Sequence, residues 1–216
     1  MAISFLSRFS IAEYKTAALL SVLLLSGCAS LEPQSGNASV ESTQAAAHRH
    51  YHEAIDLDGR LSVQYQRNNA DESLHGSFTW RQTAQHNAIT LLSPLGQTIA
   101  TIAVEPGNAT LTQSGKTSRT AADVDELAAQ SLGWPLPVSG LRNWLQGFAI
   151  DANGKAFHAT PDENAVTTGD GWQIRYVTWD ENDPAHIHPK RIDLERETEQ
   201  AGKVAIRIVI DNWQTR

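Results

Sequence analysis

Lys203-Val204-Ala205-Ile206-Arg207-Ile208-Val209-Ile210-Asp211-Asn212 decides the fold class. Side chains alternate along a strand, so Val204, Ile206, Ile208 and Ile210 share one face, and Ala205, Arg207, Val209 and Asp211 the other. One face is wholly apolar and the other mixed. That is the pattern of an antiparallel strand buried on one side.

The same period recurs upstream. From Gly59, Leu61, Val63 and Tyr65 alternate with Arg60, Ser62, Gln64 and Gln66. After a polar turn over 67–73, Leu74, Gly76, Phe78 and Trp80 alternate with His75, Ser77, Thr79 and Arg81, which predicts a hairpin. Ala88 to Leu92 and Thr98 to Val104 form a second pair around Ser93-Pro94-Leu95-Gly96-Gln97. Pro106-Gly107-Asn108 is a turn before a strand over 109–113, and Gly115-Lys116 begins another turn. Trp172, Ile174, Tyr176 and Thr178 alternate, as do Ile192 and Leu194.

Only the middle breaks the period. Asp123 is placed to cap a helix carrying Leu127, Ala128 and Leu132, with Gly133 to end it. Pro135 and Pro137 interrupt the chain. Ser139 is the expected cap of a second helix with Leu141, Trp144 and Leu145 on one side, closed by Gly147. The expected architecture is mainly antiparallel β. Its sheet must be closed, stacked or covered to keep its apolar face from water. Two short helices cover a curved sheet without filling it, which leaves room for an apolar cavity.

The N-terminal end reads differently. Arg8 and Lys15 precede an apolar run over 17–25, and small residues follow it. A run of about nine residues is far below the roughly 20 that span a bilayer, and it suits a signal peptide over 1–27. Leu25-Ser26-Gly27-Cys28 resembles the lipobox of bacterial lipoproteins at all four positions. That resemblance implies a diacylglycerol thioether on Cys28, cleavage before it and acylation of the new amino group; no other cofactor is expected. Cys28 is the only cysteine, so an intrachain disulfide is impossible. Ala29 follows it rather than aspartate, which by the same resemblance favours the outer membrane.

Residues 28–47, rich in Ser, Asn, Gln and Ala, read as a lipidated flexible tether to a domain over 48–216. Ala45 to Ile55 reads as a short helix leading into the fold. Losing Arg8, Lys15 and Glu13 with the leader takes the net charge from −7 to −8. An acidic chain without a basic block is a poor partner for nucleic acid.

Catalytic patterns are missing from the sequence. There is no Gly-x-Ser-x-Gly elbow, no His-Glu-x-x-His and no phosphate loop. The carboxylates of Asp123, Asp125 and Glu126 sit at a helix start, where the helix dipole accounts for them. His48, His50 and His52 would not share a helix face, and His186 and His188 lack a third ligand at a fitting spacing and sit between Pro184 and Pro189. Neither metal binding nor enzymatic activity is expected.

Several stretches together resemble the LolB family of outer-membrane lipoprotein receptors. They are 59–63 (GRLSV), 76–80 (GSFTW), 91–98 (LLSPLGQT), 106–109 (PGNA), 133–138 (GWPLPV), 141–147 (LRNWLQG) and 211–213 (DNW). None is decisive alone; their order, spacing and combination with the lipobox are specific. The resemblance implies an eleven-stranded antiparallel sheet curled into a half-barrel around an apolar cavity, with helices as a lid. It implies a monomeric, lipid-anchored protein of the outer membrane facing the periplasm. Such a protein takes outer-membrane lipoproteins as cargo from the periplasmic carrier LolA and inserts them into the lipid bilayer.

In that family a hydrophobic residue projects from the loop that here holds Pro94, Leu95 and Gly96, and Leu95 is its match. A tight turn leaves a leucine little to pack on, although one folded back onto the sheet is the ordinary alternative. Leu61, Val63, Phe78, Trp80, Leu91, Trp144, Trp172 and Ile174 are the expected acyl-chain cavity residues, with plain core packing as the other reading for each. A passive structural lipoprotein of the envelope, with a filled core, is the rival reading. A lipid-modifying hydrolase would need a nucleophile beside a base, for which the sequence has no pattern.

Overall fold

The computed structural model describes residues 48–183 and 186–216. The leader, Cys28 and the tether up to residue 47 lie outside the described residues, as does Pro184.

The first half is a meander: β1 (Ile55–Arg67), β2 (Ala70–Gln82), β3 (Asn87–Leu92), β4 (Thr98–Glu105), β5 (Asn108–Gln113) and β6 (Arg119–Ala121). Two helices follow, α1 (Val124–Leu132) and α2 (Val138–Trp144). Then come β7 (Phe148–Ile150), β8 (Ala156–His158), β9 (Ala165–Thr167), β10 (Gln173–Asp180), β11 (His188–Thr198) and β12 (Gly202–Thr215). Ten strands make one antiparallel sheet in the order β6-β5-β4-β3-β2-β1-β12-β11-β10-β9. The expected mainly-β, helix-covered fold is the one observed. Its main sheet has ten strands rather than eleven, and β7 and β8 form a separate two-stranded pair.

The opening stretch lies in β12, and its alternation is the burial pattern: Val204, Ile206, Ile208 and Ile210 are all buried. β12 pairs with β1 at the centre of the sheet and joins the two halves of the chain, with Leu61 opposite Ile208 and Val63 opposite Ile206. The outer face carries ion pairs such as Arg60–Asp211 at 2.8 Å, well exposed and worth little individually. The sheet stays open. Its free edges, β6 and β9, are three residues each, too short to recruit another strand easily.

Bulges bend the strands. One lies between Asp58 and Gly59. At Gly59 a Cβ atom would stand 2.1 Å from the carbonyl oxygen of Val209, so only glycine fits this close approach. Another, at Tyr176–Trp179, corrects the expected alternation: Thr178 is turned outward and Trp179 is half-buried.

The helices carry two further corrections. Asp123 caps α1 as expected, accepting from the N–H groups of Asp125 and Glu126, and Gly133 ends it at φ 83. Ser139 does not cap α2. Pro137 holds that position without a side-chain bond, and Ser139 lies in the first turn with its N–H and hydroxyl both given to Asp125. Gly147 has φ 83 but falls two residues past the cap, Leu145.

The expected helix over 45–55 is not formed in its described part, where 48–54 is turn and extended chain. Tertiary bonds outcompete a helix this short. The Gln146 side chain takes both the N–H and the C=O of His52, each at 2.9 Å, and Gln82 Nε2 donates to the Tyr51 hydroxyl at 2.9 Å.

Candidate functional site

The buried face of the sheet and the helix pair meet in an apolar seam. The floor is Leu61 of β1, Phe78 and Trp80 of β2, Ile89 and Leu91 of β3, and Ile206 and Ile208 of β12. The roof is Leu136, Leu141 and Leu145. Alternation aims every floor residue inward, and the helical spacing of 141 and 145 puts two roof residues on one stripe. Between floor and roof remains a void of about 30 Å³, room for about one water. No polar side chain lines it. Even the indole N–H of Trp80 is turned away, donating to Gln82 Oε1 at 3.1 Å.

Of the eight residues expected to line a cavity, Leu61, Phe78, Trp80 and Leu91 do so. Val63 is fully buried on the same face of β1 but outside the void. Trp144, Trp172 and Ile174 are buried elsewhere. The rings of Trp144 and Trp172 pack on each other with centroids 6.4 Å apart, away from this void. Ile206 and Ile208 were legible as an inward face. The contribution of Leu136 was not, because a residue between two prolines has no period to betray its direction.

The helices are fastened unevenly. Arg142 donates to Asn87 Oδ1 at 2.7 Å and to the carbonyl oxygens of Thr83 and Ala84 at 2.6 and 3.0 Å. Gln146, buried, holds His52. At the α1–α2 corner Trp134 packs on Tyr65, with ring centroids 6.4 Å apart. Arg67 stacks over the Tyr65 ring and donates to its hydroxyl.

Leu95 is 88% exposed, the barest of the large apolar side chains in the described residues. The turn that presents it is braced. Ser93 N–H donates to Gln97 O at 2.8 Å, Gly96 N–H to Ser93 O at 2.9 Å, and Gln97 N–H to Ser93 Oγ at 3.2 Å. Gly96 has φ 78, a conformation that a side chain would strain. The leucine is therefore held out and does not fold back onto the sheet.

Outside the seam, several polar side chains pair locally. His186 Nδ1 lies 2.6 Å from Asp183, and His188 stacks on Trp213 with its pKa lowered by burial. Arg49 donates to Ala159 O at 3.0 Å and lies over the Trp179 ring, and burial lowers its pKa to about 10. No group of three metal-binding side chains occurs among the described residues. No helix among them is long and apolar enough to cross a membrane.

The chain matches the family model for the outer membrane lipoprotein LolB over residues 53–213. It is 40% identical to the outer-membrane lipoprotein LolB of Cupriavidus pinatubonensis, over 88% of this chain and 89% of that one. With the Cupriavidus necator protein of the same name the identity is 39%, over 88% and 90%. Among solved structures, a LolA superfamily protein from Nitrosomonas europaea aligns at 8% identity with a TM-score of 0.42, covering 82% of this chain and 92% of that one.

Proposed function

The chain belongs to the LolB family of outer-membrane lipoproteins, and from that premise we propose how it handles cargo. It receives lipoproteins from the periplasmic carrier LolA, holds their acyl chains between sheet and helices, and inserts them into the outer membrane. The observation that carries this is the seam itself: ten apolar side chains from four strands and the helix segment, with no polar group among them.

Magnitudes dictate the route. Exposing acyl chains to water costs ~0.8 kcal/mol per methylene, tens of kcal/mol for a diacylated or triacylated cargo. Cargo must therefore pass from one apolar site to another without release. With no nucleotide-binding pattern in the sequence, the passage runs downhill: the site here binds more tightly than the carrier and less tightly than the bilayer. A void of about 30 Å³ cannot hold a chain, so the helices must lift as cargo enters. Leu95 then enters the lipid interface first, at small cost for a side chain already bare. No catalytic group takes part in this transfer.

The chain's own lipid, on Cys28, fixes it at the membrane by two or three acyl chains, enough for stable anchoring. It supplies location and takes no part in binding cargo. The test is direct. The chain with Cys28→Ala, exported by another signal, is mixed with carrier loaded with a lipoprotein, and the two are separated. The cargo is expected on the anchor-free chain. Cargo that stays wholly on the carrier refutes the proposal and favours a passive envelope lipoprotein.

A further inference from the structure

On the reading that acyl chains lie beneath the helices, we infer that they enter and leave at the Tyr65–Trp134 corner, and that the opposite end of the helix pair is a fixed hinge. The strand registers separate two ends of the sheet. Leu92 pairs with Ser77, and Ser77 with Arg60, so the β3–β4 turn carrying Leu95 lies at the same end as Tyr65, further along β1. His52 precedes β1 and so lies at the other end.

Both attachments of the helix pair are at that other end. Ala121, the last residue of β6, pairs with Ala109 at the start of β5, so α1 departs from there. At its far end, Gln130 and Ser131 are met by Arg119, which pairs with Leu111, further along β5. The chain turns at Gly133 and comes back through the non-helical segment 134–137, so that α2 begins beside the start of α1, where Ser139 meets Asp125, and runs on to Gln146 and His52. Asp125 holds Ser139, which ties the two helices together at the attached end.

The fastenings differ in the same sense. At the attached end, Arg142 makes three charge-assisted bonds and Gln146 two partly buried ones. At the corner the contacts are the rings of Trp134 and Tyr65 and the exposed bonds of Arg119. An acyl chain arriving there replaces one apolar contact by another at little cost. One arriving at the hinge would strand the Arg142 partners. The opening would face the end of the sheet that bears Leu95, so that a leaving chain emerges where that loop meets lipid. Tyr65 and Trp134 are thus positioning residues for transfer.

The inference is tested by bridging each end in turn with a short bifunctional thiol reagent, in the exported chain with Cys28→Ser. The corner pair is Tyr65→Cys with Trp134→Cys. Arg119→Cys with Gln130→Cys, both on the surface, serves as a second corner pair should loss of Trp134 disturb folding. The hinge pair is Thr83→Cys with Arg142→Cys, in which the bridge takes the place of the Arg142 bonds that the substitution removes, so its bridged form is compared with the Cys28→Ser chain. The readout is uptake of parinaric acid, a fluorescent acyl chain. Bridging a corner should slow uptake by about an order of magnitude or more, and bridging the hinge should leave it within about twofold. Unslowed uptake with both corners bridged overturns the inference. So does a hinge bridge that blocks uptake, alone or together with the corner. If the unbridged chain takes up no acyl probe at all, the underlying site assignment has failed, and that result is distinct from the others.

Discussion

Asp125 of α1 and Ser139 of α2 bind each other directly: the Ser139 N–H donates to Asp125 Oδ1 at 2.9 Å and its hydroxyl to the second oxygen. Each helix is short, nine and seven residues, below the length at which an isolated helix is stable. Their joint behaviour rests on this contact. Burial raises the Asp125 pKa, and the bonds from Ser139 oppose that rise. Ser139→Ala keeps the backbone bond and removes the hydroxyl. It should cost about 0.5–1.5 kcal/mol by denaturant unfolding, the net value of an ordinary hydrogen bond, because water near this exposed pair screens the carboxylate. An unchanged midpoint would show that the helices do not depend on this contact.

Leu95→Glu separates holding cargo from delivering it. Leu95 makes no core contact that its exposure would allow, so stability should change by less than about 0.5 kcal/mol. Cargo transfer from the carrier to the variant should proceed normally. Insertion into liposomes should fall sharply, because a carboxylate resists entry into the lipid interface. Equal insertion by variant and wild type would remove Leu95 from the delivery step.

His188 gives the fold a pH dependence. Burial lowers its pKa below the ordinary value of 6.5. Its ring stacks on Trp213 with centroids 4.6 Å apart, and Nδ1 lies 2.8 Å from the carbonyl oxygen of His186. The folded state thus favours the neutral ring. Its contribution is present above the unfolded pKa and is lost as pH falls through the folded one. His188→Phe keeps the stacking and removes the titration. Between about pH 7.5 and about pH 5, the variant should lose less thermal stability than wild type. His52, also lowered by burial, retains part of the slope in both. Identical slopes would show that His188 does not titrate in this range.

What the sequence disclosed followed from periodicity. The inward faces of β1, β2 and β12 were plain because every second residue is apolar and no long-range contact has to be known to see it. Leu95 was singled out by the family resemblance; Pro94 and Gly96 marked the turn but left open whether the leucine folds back onto the sheet. Trp144 and Trp172 were not separable from Trp80, since alternation tells which way a side chain points and not what stands opposite. Ser139 was misassigned as a cap because its true partner, Asp125, lies fourteen residues back on another helix. Over 48–54, bonds from Gln82 and Gln146, remote in sequence, override the local helical preference. The count of eleven strands came with the family resemblance and not from periodicity; β7 and β8, three residues each, are too short to show a period and form a pair of their own.

The central claim is that cargo acyl chains lie between the sheet and the helices. A lipopeptide bearing a photoreactive diazirine midway along an acyl chain, loaded from the carrier and irradiated, labels what surrounds the chain, and peptide mass spectrometry locates the label. Label on Leu61, Phe78, Trp80 or Leu91 from the sheet, together with Leu136, Leu141 or Leu145 from the helix segment, is the predicted result. Label confined to the outer face of the sheet, at residues such as Arg60 and Arg207, would contradict the account.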